Sequence, residues 1–463
     1  MIHCLETDGE NAMKPREPKE SGQHDMFRSR LDQILDLGHE KVILADRIDW
    51  RFLSEKMGDV YTDGPGQPPL SNRLMAGLHI LKYADNLSDD EVCARWIENP
   101  YYQYFCGEEF FCHHLPLDRS SMTRWRQRMG EERLTALLQE SLAVAVKTGA
   151  ARPSDFTRAI VDTTVAEKDV AFPTDAKLIH KARERLVKQA KRAGIDLRQS
   201  YVRVGKRALI AHQRYAHAKQ FKRAKRQLRK LKTFLGRTSR DIKRKIKGDK
   251  ALEAAFLRPL WLAERVMTQK KRDPLPKVYA LHAPEVECIG KGKAHKPYEF
   301  GVKVSVATTL NRCKGGQFAI HAKSLPGRPY DGHTLETVIP EIEDLTGATL
   351  KRILADAGYK GHNAPGVYKL RVFTAGQKRR VTPAIKRQMK RRSAVEPVIG
   401  HMKNGHRMDR NRLAHAQGDA INPVLAAAGY NFRLILKWIR LLLALFRIWM
   451  SENRSERSLQ IAA

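Results

Sequence analysis

Apolar residues recur at helical spacing over residues 26–61, with Phe27, Leu31, Ile34 and Leu35 on one stripe, until DGPGQPP at 63–69 breaks the chain. A helix is expected over 71–84, and Ser88 with Glu91 makes a capping box for the next, which ends before Asn99-Pro100. Ser120 or Ser121 should cap a third helix, whose first turns carry Arg124, Trp125, Arg126 and Arg128. A longer one follows over 131–147 and stops at Gly149, and ARPSD at 151–155 reads as a linker. Short helices joined by tight turns, the last of them basic, suit a helix-turn-helix reader of duplex DNA; a plain helical bundle gives the same pattern.

At Ala159 the period changes. In AIVDTTV, Val161, Thr163 and Val165 face one way and Ile160, Asp162 and Thr164 the other, a β-branched strand with an acid set in it. Such an acid is unfavourable unless it is paired or holds a metal; a strand edge facing water is the other reading. Strands return over 299–309 and 316–325, joined across NRCKGG as a hairpin. A helix over 334–345 ends at Gly347, LKRILAD at 350–356 is a buried-type strand ending in Asp356, and 371–374 is a short strand. In TPAIKRQMKRRSAVEPVIGHMK (382–403), Thr382 is the N-cap and Pro383 the first residue of one expected helix. On it Arg392, Glu396 and Lys403 fall within a wedge of about 40°. Val395, Val398 and Met402 can pack it onto a sheet, and Pro397 should kink it just after Glu396. A surface helix with ion pairs explains the same stretch.

Length and charge sharpen this. A chain of 463 residues, 42% hydrophobic, divides into two to four domains. Its 85 Lys+Arg against 51 Asp+Glu leave a net charge of +34, which calls for a polyanion, nucleic acid first and anionic membrane second. Residues 177–250 alone hold 27 Lys+Arg and 4 Asp+Glu. Apolar positions at 221, 224, 228, 231 and 235 make that segment a helical hairpin with a coiled-coil-like seam, either a phosphate clamp or a solvated charged hairpin. The apolar C-terminal stretch is interrupted by Arg433, Lys437, Arg440 and Arg447, and its longest uncharged run, 441–446, is far short of the ~20 residues that span a bilayer. Residues 1–25 lack periodicity and read as disordered, with no signal peptide and with Met13 as a candidate start. Six irregularly spaced cysteines read as the reduced thiols of a cytoplasmic protein, and Cys106, Cys112, His113 and His114 lack the paired spacing of a zinc site.

The element order, with Asp162 in the first strand, Asp356 ending a later one and Glu396 on a terminal helix, looks like the ribonuclease H-like core of DDE transposases. DGPGQPPLSNRLMAGL, NPYYQYFCGEEFFCH, SSMTRWRQRMGEE, VDTTVAEK, FPTDAKL, HAPEVECIGKGKAHKPYEFG and RRSAVEPVIGHMK all resemble the insertion sequence type five group. That group's signature, Tyr-x2-Arg-x3-Glu-x6-Lys, is matched at Arg392, Glu396 and Lys403, while Met389 stands at the tyrosine position. The resemblance implies an α/β protein: an all-α N-terminal domain (26–150), a ribonuclease H-like mixed sheet with flanking helices (151–176 and 277–410), a basic helical insertion (177–276) and a C-terminal helical segment (411–463). It implies that Asp162 and Asp356 meet on adjacent parallel strands and, with Glu396, hold two Mg²⁺ ions, with Mn²⁺ as a substitute. Arg392 and Lys403, with Arg124, Arg126 and Arg128, would bind double-stranded DNA, and a nucleoid-associated homodimer would act on paired element ends. A stand-alone metal nuclease, an architectural DNA-binding protein and an inactive element product are the other readings.

Overall fold

The structure, a computed structural model, describes residues 29–61, 70–270, 273, 276–290, 292 and 295–461, with backbone alone for 452–461. The N-terminal stretch expected to be disordered, Met13 and Phe27 within or beside it, and the DGPGQPP break lie outside those residues. The chain opens with α1 (Leu31–Ile34), α2 (Glu40–Arg47), α3 (Trp50–Gly58), α4 (Asn72–Ala84), α5 (Asp89–Glu98), α6 (Pro100–Phe105) and α7 (Arg119–Lys147). After β1 (Arg158–Glu167) come α8 (Asp175–Arg192), α9 (Val202–His217), α10 (Phe221–Ile246) and α11 (Lys250–Thr268). Then follow β2 (Glu287–Gly290), β3 (Tyr298–Thr309), β4 (Ala319–Leu325), α12 (Leu335–Thr346), β5 (Arg352–Ala355) and β6 (Val372–Thr374). The chain closes with α13 (Pro383–Met389), α14 (Val395–Gly405) and α15 (His415–Ile461). It divides into two compact units, one of the residues up to Ala166 and from Lys303 onward, the other Glu167–Val302.

In the first unit, local side chains set the helix starts. Ser88 and Glu91 close the expected capping box, whereas Asp118, not Ser120 or Ser121, caps α7 by accepting from the Ser120 N–H. An acid two residues before Ser120 already satisfies an orphan amide, so the serines become first-turn residues. Gly130, at φ 68°, kinks α7 where two separate helices were expected. The single helical stripe expected over 26–61 is, from residue 29 on, three short helices. α15 packs on α7, α4, α2 and β4. Its buried Asn431 accepts from the Ala319 N–H (3.0 Å) and donates to the Ala319 carbonyl (2.8 Å), pairing with strand β4 as a backbone would.

The sheet of this unit is mixed. β1 runs parallel to β5 and β5 to β6, while β3 pairs antiparallel with β4. β3 also neighbours β1, with the Leu310 N–H on the Arg158 carbonyl, so the order is β4-β3-β1-β5-β6. Ile160, Leu310, Leu354, Phe373, Ile385 and Val395 form a cluster that seats α13 and the start of α14 on the sheet.

The expected helix over 382–403 is broken. Thr382 caps α13 and Pro383 is its first residue, but the helix ends at Met389 and a 3-10 turn, Arg392–Ala394, precedes α14. Pro397 therefore kinks nothing. It is the third residue of its own helix, where no intrahelical partner exists for the N–H that proline lacks.

The second unit is a four-helix arrangement rather than a hairpin. α8, α10 and α11 share a core built from Leu186, Leu231, Leu235, Ile242, Phe256 and Ala263, among others. Of the expected seam, Leu231 and Leu235 are buried but Phe221 is 69% exposed. The period of 3 and 4 was real, but it marked one face of a helix that packs on several others. Asp241, buried, accepts from the Arg198 N–H (2.9 Å) and pairs with Arg244 (3.3 Å), so a scarce acid of the basic segment fastens the α8–α9 connection to α10. β2 pairs antiparallel with Tyr298 to Gly301 at the opening of β3.

Candidate active site

The register of two parallel strands brings the first acids together. Val161 of β1 lies opposite Ala355 of β5, so the next residues, Asp162 in mid-β1 and Asp356 just past the end of β5, stand side by side. Buried Val161, Val165 and Leu354 fix both strands in the core, which leaves the acids at its rim. Val395, fully buried in the cluster on the sheet, anchors the start of α14 and with it Glu396, while Arg391 Nε bonds the Leu310 carbonyl (3.3 Å) just upstream.

The three carboxylates share one cation. Arg392 lies 3.7 Å from Asp356 Oδ1, 3.9 Å from Asp162 Oδ2 and 3.9 Å from Glu396 Oε1. Exposure rises across the set, from 19% at the Asp162 side chain to 49% at Asp356 and 64% at Glu396. Glu396 therefore has the most freedom to swing. Burial raises the Asp162 carboxyl above its ordinary value, with Asp356 and Asp331 adding to the effect and Arg392 and the Thr163 N–H opposing it.

A fourth acid, not singled out in the sequence, stands behind them. Asp331, at the start of the 3-10 turn before α12, accepts from Thr163 Oγ1 (2.8 Å) and pairs with Lys303, whose ammonium also bonds the Pro329 carbonyl (2.6 Å). Thr163 in turn donates its N–H to Asp162 Oδ1 (2.8 Å), so Asp331 steadies the residue that steadies Asp162. In sequence Asp331 looks like any acid before a helix. Only strand order shows that its loop returns to β1. Tyr359 is buried alongside, its hydroxyl pushed well above 10 by burial and then by Asp331 and Asp162.

The other expected residues are scattered. Lys403 lies further down α14, on the wall of a separate cleft. Arg124 is exposed and bonds Ser120 Oγ (2.9 Å), and Arg128 is exposed with its guanidinium 5.5 Å from the Tyr61 ring centre. Arg126 corrects the expectation that it would meet DNA alongside them. It is buried, forked onto both oxygens of Asp89 (2.9 and 2.7 Å) and bonded to His79 (3.1 Å), which leaves it no outward face. Met389 packs against the sheet cluster.

Among the described residues no three Asp, Glu, His or Cys side chains close into a ready metal cage. The donor set nevertheless suits Mg²⁺: three hard carboxylates, from β1, the end of β5 and α14, already within reach of one shared positive centre. Displacement of the Arg392 guanidinium would free their oxygens for an ion.

Two family models match the chain. One, described as a transposase domain (DUF772), covers residues 29–128; the other, described as a transposase DDE domain, covers 276–432 and takes in Asp331, Asp356, Arg392 and Glu396. Asp162 and most of the basic unit lie between the matches. A protein of Rhizobium meliloti named "Uncharacterized protein ORF8 in nfe locus" is 50% identical over 209 residues, 45% of this chain and the whole of that protein. No solved structure matches the chain significantly.

Proposed function

The chain belongs to the insertion-sequence DDE transposases, and from that premise we propose that it binds the terminal inverted repeats of its element, cleaves the DNA ends and joins them to target DNA. The observation that carries the proposal is the meeting of Asp162, Asp356 and Glu396, far apart in sequence, around one guanidinium. A first strand with an antiparallel neighbour on one side and parallel strands on the other supports the ribonuclease H-like reading of the sheet.

Family membership implies a DNA substrate and a divalent metal. Asp162, Asp356 and Glu396 would hold two Mg²⁺ ions, with Mn²⁺ as a substitute. Those ions, when bound, supply the activation of water or a 3′-hydroxyl and the stabilisation of the leaving oxygen. The chain's own part is positional. β1 and β5 fix two carboxylates in register, α14 delivers a third that can swing, and the Asp331–Thr163 contact keeps Asp162 in one rotamer. Arg392 screens the acids from one another while no substrate is present, and then becomes a donor to a DNA phosphate beside the cut. Arg124 and Arg128 of the helical N-terminal region contact duplex DNA, Lys403 contacts a phosphate, and the basic four-helix unit clamps DNA without regard to sequence. The acting form is a homodimer on paired ends, in the cytoplasm at the nucleoid. No helix among the described residues is long and apolar enough to cross a membrane.

The test is incubation of the protein with the DNA flanking its own gene and Mg²⁺, followed by sizing of the products. Cut ends together with joined products are expected. Cutting without joining would make the chain a stand-alone nuclease, and end binding without cutting an inactive element product.

A further inference from the structure

A polar cleft of about 800 Å³ opens in the first unit between the α4–α5 turn, the start of α7 and the segment that follows α14. Six cations line it: Lys82, Arg126, Lys403, Arg407, Arg410 and Arg412. Its acids are committed locally. Asp89 holds Arg126 and Lys82 (2.8 Å), Asp90 pairs with Arg119 (3.1 Å), Glu91 accepts from the Ser88 N–H (2.7 Å), and Asp409 accepts from the Arg410 N–H (3.0 Å).

The wall that carries the arginines is built under constraint. Arg407 and Arg410 sit at φ 61° and 49°, and Asn86 opposite them at 59°, a region that side-chain-bearing residues seldom enter. Buried groups fasten the chain around them. Asn422 Nδ2 bonds the Arg407 carbonyl (3.0 Å), Asn411 Nδ2 bonds Asp419 (2.8 Å), and His406 Nδ1 bonds the Tyr83 carbonyl (2.8 Å). Arg407 itself donates to the Asn86 carbonyl (3.1 Å). Glycine would fit these positions without strain, so arginine there points to a use for the charge.

We propose that this cleft grips the phosphodiester backbone of the DNA strand leaving the carboxylate centre, through Arg410 and its neighbours, a few nucleotides from the cut. The inference rests on the transposase reading and adds to it a second binding site. Lys403 follows Glu396 by seven residues on one helix, about 10 Å at 1.5 Å per residue. That span matches about three nucleotides at roughly 3.4 Å of rise each. On its floor Lys82 and Arg126 share Asp89, and over the whole lining the six cations outnumber the four acids, Asp89, Asp90, Glu91 and Asp409.

The test is a methylphosphonate scan, which neutralises one phosphate at a time near the cut in a duplex of the flanking DNA, with the full chain and with Arg410→Gly. The wild-type chain should lose affinity about tenfold when one phosphate two to four nucleotides from the cut is neutralised, the worth of one charge-assisted contact. Arg410→Gly should bind the unmodified duplex about tenfold more weakly, lose nothing further on that neutralisation, and melt no lower than wild type, because glycine accepts the backbone angle. Cutting in Mg²⁺ is scored separately. A wild-type chain that binds its ends and never cuts overturns the cleavage reading alone, and the methylphosphonate comparison at the element end still decides the cleft assignment. Normal cutting by the wild type, with full methylphosphonate sensitivity retained by Arg410→Gly, overturns the cleft assignment alone.

Discussion

Arg392 makes the candidate centre a closed electrostatic unit, and the roles of its neighbours can be separated by what each loses on substitution. Asp162→Asn, Asp356→Asn and Glu396→Gln each keep shape but lose the charge that holds a divalent ion. Each should abolish Mg²⁺-dependent cleavage and leave end binding within a few fold of wild type; near-normal cleavage by any one of them removes that residue from the centre. Arg392→Ala leaves the acids without their common counter-charge. The variant should melt below wild type in EDTA and be raised by Mg²⁺ more than wild type is, with cleavage lost; calorimetry showing weaker Mg²⁺ binding would contradict the screening role. A second prediction at this scale concerns His79. Burial, then the charges of Arg126 and Lys82, lower its pKa to about 3 against 6.5 unfolded. Below pH 6.5 the unfolded chain takes up a proton that the folded chain refuses, so stability present above 6.5 is lost as pH falls towards 3, by up to about 1.4 kcal/mol per unit. His79→Gln should flatten the fall of melting temperature between pH 6.5 and 4, and an unchanged slope would assign that fall to other groups.

At the scale of elements, α15 and α4 cross so closely that a side chain on Gly429 has no room. A Cβ there would lie 2.4 Å from Tyr83 Cβ and 2.6 Å from its carbonyl carbon. Gly429→Ala should therefore cost about 3 kcal/mol, an overpacking penalty taken against backbone, read as a lower midpoint in urea; an unchanged midpoint would mean that the crossing yields easily. Such a contact joins positions 346 apart and leaves no trace in local pattern. What local pattern can carry did appear. The strand around Asp162, the capping box at Ser88 and the N-cap at Thr382 were all readable, because each is decided within a few residues, although β1 is buried on both faces instead of alternating. Arg392 and Glu396 kept their pairing at a spacing of four although the helix assumed between them is a 3-10 turn joined to a new helix. Asp118 displaced the expected serine caps, Arg126 turned inward to Asp89, and Asp331 entered the centre through a loop return. Each of these outcomes was set by a competing partner distant in sequence or by a neighbour with equal claim.

At the scale of the molecule, charge is divided as unevenly as fold. Residues 177–250 carry +23 of the net +34, and they lie in a unit with its own helical core. Excision should follow the helices, from Asp175 to Thr268, since a cut at 250 would strand α11 without its partners. With a Gly/Ser linker in its place, the remaining unit should still fold, because loop closure costs grow slowly with length. Binding to element ends and to random duplex should weaken alike, and the slope of log affinity against log salt should become shallower by several units, at roughly 0.9 per lost phosphate contact. A slope that does not move would place the unit's cations off the DNA.

The parallel pairing of β1 with β5 also has a consequence in time. Asp162 leaves the ribosome 194 residues before Asp356, which at roughly 5–20 residues per second is a wait of about 10–40 s. During that interval the basic helices, contiguous in the chain, are already free to fold. If the basic unit clamps DNA as proposed, the growing polypeptide would hold nearby nucleic acid while its cutting centre does not yet exist, and attachment would precede activity in the life of each new molecule.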